Sequence, residues 1–474
     1  MSSVSSTKGR AMPDTAGRNI YLSGSLASVY VRTAAPIILM MLVNGSFNLV
    51  DAYFLGIYVG ADALAAVTAM FPAFMLIVAL STLVSTGFAS VMARTLGAGN
   101  GEAARETIAQ ATTLLLLVCG VLVGLFALFG KPVTAMANNG VAALAGMSYE
   151  YISILIFFSP LNFILAINGD SLRCEGHVGP MALVSLSSVL LNAVLNYIFI
   201  AQLHWGVAGS AWGTVAAQAL ALAMVILFRR SHKPQLRLPV IGLSRRRRYW
   251  REFLALGAPS SLTYIGIALL SAAILYNLQQ WSDGGTYAAT VGAYGIITRL
   301  NTFIFLPLLG LSLAFQGIAG NNLGAGEYAR TNRSVKIAIG GAFVYCLLAQ
   351  LLLWSLKDSL GSWFVDDTAI IAEVGRILSV SLLALFLLGP LFMVSIFFQS
   401  IGDAKRAGLL GLAKTYLFAL PLVFTLPSQL GEWGIWFAAP VAEVMALLLT
   451  LAVLAHRARR YRYRLGLFYT PAHR

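Results

Sequence analysis

The sequence predicts an all-α integral membrane protein, with twelve transmembrane helices in two six-helix lobes related by a pseudo-two-fold axis along the membrane normal. Three observations carry that prediction. The first is composition. The chain is 58% apolar and 11% charged, with a mean hydropathy of +0.80; a soluble domain carries roughly 25% charged residues. Apolar stretches of about 20 residues, each long enough to cross a hydrocarbon core of about 30 Å, begin near residues 33, 64, 107, 148, 179, 206, 253, 287, 332, 375, 406 and 433. They are continuously apolar, whereas membrane-barrel strands alternate with period 2.

The second observation is an internal repeat. Leu96-Gly97-Ala98-Gly99, followed by Glu102-Ala103-Ala104-Arg105, returns as Leu323-Gly324-Ala325-Gly326 followed by Glu327-Tyr328-Ala329-Arg330. Trp205-Gly206-Val207 returns as Trp433-Gly434-Ile435, and Ala34-Ala35-Pro36 is echoed by Gly257-Ala258-Pro259. Arg173-Cys174-Glu175-Gly176 has a weaker partner in Gln399-Ser400-Ile401-Gly402. The offsets are 227, 228, 223 and 226 residues, and the anchors keep their order. Six spans per half start both halves on one side of the membrane, so the repeats are parallel. A long repeat in so apolar a chain is the signature of a duplicated transporter, with its binding site between the copies.

The third observation is one-sided charge. With a cytoplasmic N-terminus, the inward loops and tails hold 27 of the 32 Lys and Arg residues, while outward loops hold Lys131 and Lys357. Arg299, Arg376 and Lys414 fall in helices or at their ends. This is the positive-inside rule. It accounts for the net charge of +14 through orientation and lipid headgroups, without nucleic acid.

The elements follow in order. Residues 1–31 read as a polar cytoplasmic tail with no apolar core of a cleavable signal. Residues 32–229 form the first lobe, 230–252 a basic cytoplasmic loop, 253–456 the second lobe and 457–474 a basic cytoplasmic tail. The multi-pass chain is expected in a cytoplasmic (inner) membrane as a monomer. The glycine-rich turns at 97–101 and 324–326 end helices 2 and 8, where tight reversals need glycine. Pro36, Pro72, Pro160, Pro259, Pro307, Pro390, Pro421 and Pro440 lie within spans and are expected to kink them or shape the bundle. Pro36 is singled out as a conformational hinge, because Asp51 lies fifteen residues downstream. Cys119, Cys174 and Cys346 suggest no disulfide framework.

In helix 1, Asn44, Asn48 and Asp51 fall at i, i+4 and i+7, on one helical face. An Asp inside a membrane costs about 2.5–3.5 kcal/mol on insertion scales and normally faces the bundle interior, unless it lies near the outer interface and stays hydrated. Asn192 and Asn196 in helix 5, and Thr214 and Gln218 in helix 6, repeat the i, i+4 spacing. Each pair alone reads as interhelical hydrogen bonding. Together with Asp51 they can surround one carboxylate with amide and hydroxyl oxygens, suited to a proton relay or a hard cation such as Na⁺. Asn44, Asn48, Gln218 and Glu443 are candidates for the substrate cavity. Glu443 in helix 12 falls opposite Val215 in the repeat and reads equally as a second ion or drug site or as an ion-pair partner. Arg299 and Lys414 read as snorkelling or paired. Glu150, Asp170, Asp358, Asp366, Asp367 and Glu373 read as solvated.

These residues resemble the multidrug and toxic compound extrusion (MATE) family. The likeness rests on Asn48-Leu49-Val50-Asp51-Ala52-Tyr53-Phe54-Leu55-Gly56, Ala63-Leu64-Ala65-Ala66-Val67, both Leu-Gly-Ala-Gly turns, Leu172-Arg173-Cys174-Glu175-Gly176 and Asn321-Asn322-Leu323-Gly324-Ala325-Gly326. It spans nearly the whole membrane portion. The resemblance implies two six-helix lobes and a secondary antiporter that exports cationic amphipathic compounds by alternating access. The driving ion is H⁺ or Na⁺, and no other cofactor is implied. It places the ion site at Asp51, Asn192, Asn196 and Thr214, and the bending proline at Pro36. Two departures stand out. Asn196 replaces an Asp common in the DinF-like and MepA-like branches, and Ile267 replaces a helix 7 Glu of NorM-like members. The chain therefore leans to the DinF/MepA side with an atypical ion site. The alternative is a lipid-linked sugar flippase of the wider superfamily. An enzyme is not expected: there is no phosphate-binding G-x-x-x-x-G-K-[ST] motif, and His177, His204, His232, His456 and His473 fall in loops or tails without ligand spacing.

Overall fold

The computed structural model describes residues 19–138, 140–231, 238–281, 287–461 and 463–469; the side chains of residues 46–50, 52, 61 and 461 are outside that description. Most of the predicted N-terminal tail, the middle of the central loop and the last five residues therefore lie outside the described residues. Nearly everything else is helix. Among the described residues, ten helices are long and apolar enough to cross a membrane, and up to twelve when each of two bent pairs counts as one span.

We number the twelve spans in chain order. The first lobe comprises α1 (Leu26–Tyr58), α2 (Ala61–Ala69 with Phe71–Gly97), α3 (Gly101–Ala137), α4 (Ala142–Phe157 with Ser159–Cys174), α5 (Val178–Asn196, continuing as a π-turn over Tyr197–Gln202) and α6 (Gly206–Ser231). The second comprises α7 (Trp250–Trp281), α8 (Tyr287–Gly324), α9 (Tyr328–Leu360), α10 (Thr368–Ser381 with Leu385–Ser400), α11 (Ala404–Leu412, a π-turn over Ala413–Ala419, Leu420–Thr425 and Pro427–Leu430) and α12 (Trp433–Tyr461). Several helices outrun the apolar stretches. The first begins at Leu26, where the Ser25 side chain accepts from the Ser28 N–H and caps it. His456 falls inside α12, not in a tail.

The two bent spans are pseudo-equivalent. In α4 the halves meet at 47°, and Pro160 opens the second half, where its missing N–H costs nothing. In α10 they meet at 55°, and Gln350 of α9 accepts from the freed Phe386 N–H at 2.9 Å. Pro72, Pro160 and Pro421 start new helical segments, whereas Pro36, Pro259, Pro307, Pro390 and Pro440 sit inside helices that continue through them.

The lobes meet through α2 against α7, α1 against α8, and α2 against α8. These contacts are built on glycine. A methyl group at Gly97 would overlap the Asn321 carbonyl, and one at Gly324 the Arg94 carbonyl. Gly87 and Gly257 stand in the same relation to the carbonyls of Phe253 and Leu83. Each Leu-Gly-Ala-Gly turn thus divides its work. Gly97 and Gly324 admit the opposite lobe, while Gly99 (φ 70°) and Gly326 (φ 75°) supply the left-handed reversal. All these contacts lie toward the membrane face that carries the basic loops, hereafter the basic face.

Repeat-related residues also tie the lobes together. Arg173, at the end of α4, is fully buried and donates to the Leu313 carbonyl of α8 at 2.6 Å, to Gln316 Oε1 at 3.2 Å and to Asp170 at 2.9 Å. Its counterpart Gln399, at the end of α10, donates to the Leu256 carbonyl of α7 at 2.6 Å and accepts from Ser90 of α2 at 2.5 Å. Asp170 is therefore an ion-pair partner and not a solvated end. The same holds for Glu373, which shares Arg376 with Glu432.

Candidate functional site

The first lobe gathers its polar residues around Asp51. Helix α1 carries this carboxylate inward, at 6% exposure, so it is not a hydrated end residue. Facing it are Asn192 and Asn196, one turn apart on α5, and Thr214 on α6; both asparagines are fully buried and Thr214 is 5% exposed. Asn196 Nδ2 donates to Asp51 Oδ1. The Asn192 amide is best satisfied with its nitrogen 3.2 Å from Asp51 Oδ1 and its oxygen accepting from Thr214 Oγ1 at 3.2 Å and the Thr214 N–H at 3.3 Å. Asn196 Oδ1 is buried without a hydrogen-bond partner among the described residues.

Local backbone explains how the amides reach the acid. The α-helix of α5 gives way to a π-turn immediately after Asn196, and π-turns re-aim side chains and recur at functional sites. Gly213, beside Thr214, has no side chain, and the Asn196 amide fills that space: a methyl group there would overlap Asn196 Oδ1. The buried Tyr151 of α4 lies within electrostatic reach of Asp51. Neither Gly213 nor Tyr151 stands out in the sequence, because glycine and tyrosine are common in membrane helices.

The remaining predicted residues divide. Asn44 is half-buried and accepts from Ser185 Oγ of α5 at 3.3 Å. Gln218 is half-buried, one turn beyond Thr214. Pro36 lies inside an unbroken α1. The Asn48 side chain lies outside the description. Glu443 is 6% exposed in the other lobe, where Lys414 Nζ donates to its Oε1 while Oε2 is buried without a partner among the described residues. Lys414 sits on the π-turn of α11, which begins about ten residues earlier in its helix than the π-turn of α5. Arg299 forms no ion pair among the described residues and is exposed.

What the arrangement offers is a buried carboxylate held by amide donors of α5, one of which is in turn held by Thr214 of α6. Two parallel six-helix lobes, each burying a carboxylate within a membrane span, have the architecture of a membrane transporter.

Comparison with known proteins names the family. The MatE family profile matches residues 36–198 and again residues 259–425, one match per repeat and more than half of the chain in all. The chain belongs to the MatE family. It is 23% identical over 431 residues to the multidrug export protein MepA of Staphylococcus haemolyticus, covering 91% of this chain and 93% of that one. It is 23% identical over 436 residues to the FAD transporter of Shewanella oneidensis, covering 90% and 94%. A crystal structure of a MATE protein in its bent conformation superposes with a TM-score of 0.81 at 22% identity, over 94% of this chain and 98% of that one.

Proposed function

We propose that the protein is a secondary antiporter that exports amphipathic, cationic toxic compounds in exchange for H⁺, with Na⁺ as the alternative coupling ion at the same residues. The observation that carries this reading is Asp51, buried beside Asn192, Asn196 and Thr214. Ionised, Asp51 accepts hydrogen bonds from the amides. A proton entering the site cancels the charge, removes the reason for both amides to point at it and frees α1 to move about Pro36. Na⁺ would instead meet the carboxylate, Thr214 Oγ1 and the unpartnered Asn196 Oδ1, all hard oxygen ligands. With Asn at 196 the site has one charge, which favours the proton. The glycine contacts close the lobes on the basic face, which in our reading leaves the other face as the side of access in this conformation. In our reading the basic face is cytoplasmic, both tails included, the membrane is the inner one, the lobe boundaries fall near residues 230 and 252, and the protein works as a monomer.

The test is export of a cationic dye from proteoliposomes under separately imposed pH and Na⁺ gradients. Wild type should respond to the pH gradient, and Asp51→Asn should lose gradient-driven export while its yield and thermal stability stay near wild type. Normal driven export by the variant would move coupling away from Asp51. Stimulation of wild type by Na⁺ alone would exclude the proton.

A further inference from the structure

One face of α8 has a composition that neither packing nor lipid contact explains. Gly295, Arg299, Thr302, Leu306 and Gly310 recur at intervals of three and four and so share a face. Toward the basic face this stripe meets the first lobe: Leu306 lies against Gly45 of α1, and Gly310 against Ile38. Beyond Leu306, Thr302, Arg299 and Gly295 are all exposed. The opposite side of the same helix, with Ile296, Ile297 and Ile304, packs into the core of the second lobe. The exposed part of the stripe therefore looks across the gap between the lobes. A lipid-facing surface would be built from large apolar side chains, and a bare cation is costly there. Gly295 has nothing within 4 Å of where a side chain would begin, which leaves open space one turn from Arg299. Arg299, expected from sequence to snorkel or pair, does not pair with an acid among the described residues.

We propose that Arg299 is a cargo-binding residue, and that the cargo carries an anionic group, a carboxylate or phosphate, that its guanidinium engages. This rests on the export reading above and narrows it: the preferred compounds are cationic amphipaths that also bear an acid, that is, zwitterions. A planar guanidinium exposed in the cleft matches such a group with two parallel hydrogen bonds. The cation stands in the second lobe and the coupling carboxylate is buried in the first, so cargo charge and ion charge are read on opposite sides of the cleft.

The test is equilibrium binding to purified protein of one xanthene dye in two forms, the free carboxylic acid and its ethyl ester. Hydrogen bonds to charged groups predict that wild type binds the acid about tenfold or more tightly than the ester. Arg299→Gln should lower acid binding to the ester's level and leave the ester unchanged, and Arg299→Lys should retain part of the preference. Equal affinities in wild type, absence of acid binding, or an equal loss of both forms in Arg299→Gln would overturn the proposal. Binding to purified protein needs neither a gradient nor turnover of the coupling ion. Failure of the coupling reading in liposomes therefore leaves this result readable by itself.

Discussion

At the scale of single residues, the site depends on one missing side chain and one internal pair. Gly213 makes room for the Asn196 amide. Gly213→Ala should push that amide off Asp51 and reduce driven export about tenfold, the cost of losing a hydrogen bond to a charged group. Surface yield should remain near wild type, and an unimpaired Gly213→Ala transporter would show that the Asn196 contact is dispensable. The Lys414–Glu443 pair calls for a different comparison. Lys414→Met strands a carboxylate that is 6% exposed, whereas Lys414 itself is 34% exposed along its side chain. The expected loss of stability is therefore at most about 3 kcal/mol, below the range for fully buried pairs. Adding Glu443→Gln should recover most of it, because the stranded charge is gone. A thermal unfolding midpoint that drops further in the double variant would argue that Glu443 has another partner.

At the scale of elements, the lobes close by backbone-to-backbone contact between helices, and glycine permits it. Gly257 on α7 faces the Leu83 carbonyl of α2 with no room for a methyl group. Gly257→Ala should hold α7 away from α2 and shift the population toward a state open on the basic face. Distances between spin labels at exposed sites near the ends of α2 and α7 on that face should lengthen, and export should slow. Unchanged distances would mean the helices slide to absorb the methyl group. A π-turn in α5 and another, placed earlier in its helix, in α11 are a second element-scale feature. Each inserts an extra residue per turn beside a polar side chain, Asn196 in one lobe and Lys414 in the other. Periodicity of the sequence does not signal them, since each spans only six or seven residues of a longer apolar helix.

At the scale of the molecule, the duplication sets the design, and divergence within it gives the two lobes different chemistry. Arg173 and Gln399 occupy related positions and bind across the interface in related ways, one charged and one neutral. Asp51, by contrast, has no acidic counterpart at its repeat position, and Glu443 has none at Val215. Orientation is tested most simply with cysteine. The three native thiols are buried, so Ile241→Cys, placed at a side chain 51% exposed, gives a low-background reporter. It should be labelled by an impermeant reagent only after the membrane is opened. Labelling of intact cells would invert the topology and the assignment of both tails.

The sequence alone determined the class, the twelve spans, the parallel repeat and which polar residues share a face of helices 1, 5 and 6. Each follows from a quantity that is local or periodic: apolar length, offset between anchors, or i, i+4 spacing on a helix. What only the tertiary structure decided are relations between helices that no single helix encodes. These include the burial of Arg173 at the lobe interface, the pairing of Lys414 with Glu443, the fit of Asn196 over Gly213 and the direction in which Arg299 faces. The physical reason is shared. Along one helix, spacing fixes which residues lie on the same face, but whether that face meets core, lipid, the other lobe or an open cleft depends on where its neighbours end, and those neighbours lie scores to hundreds of residues away in the chain.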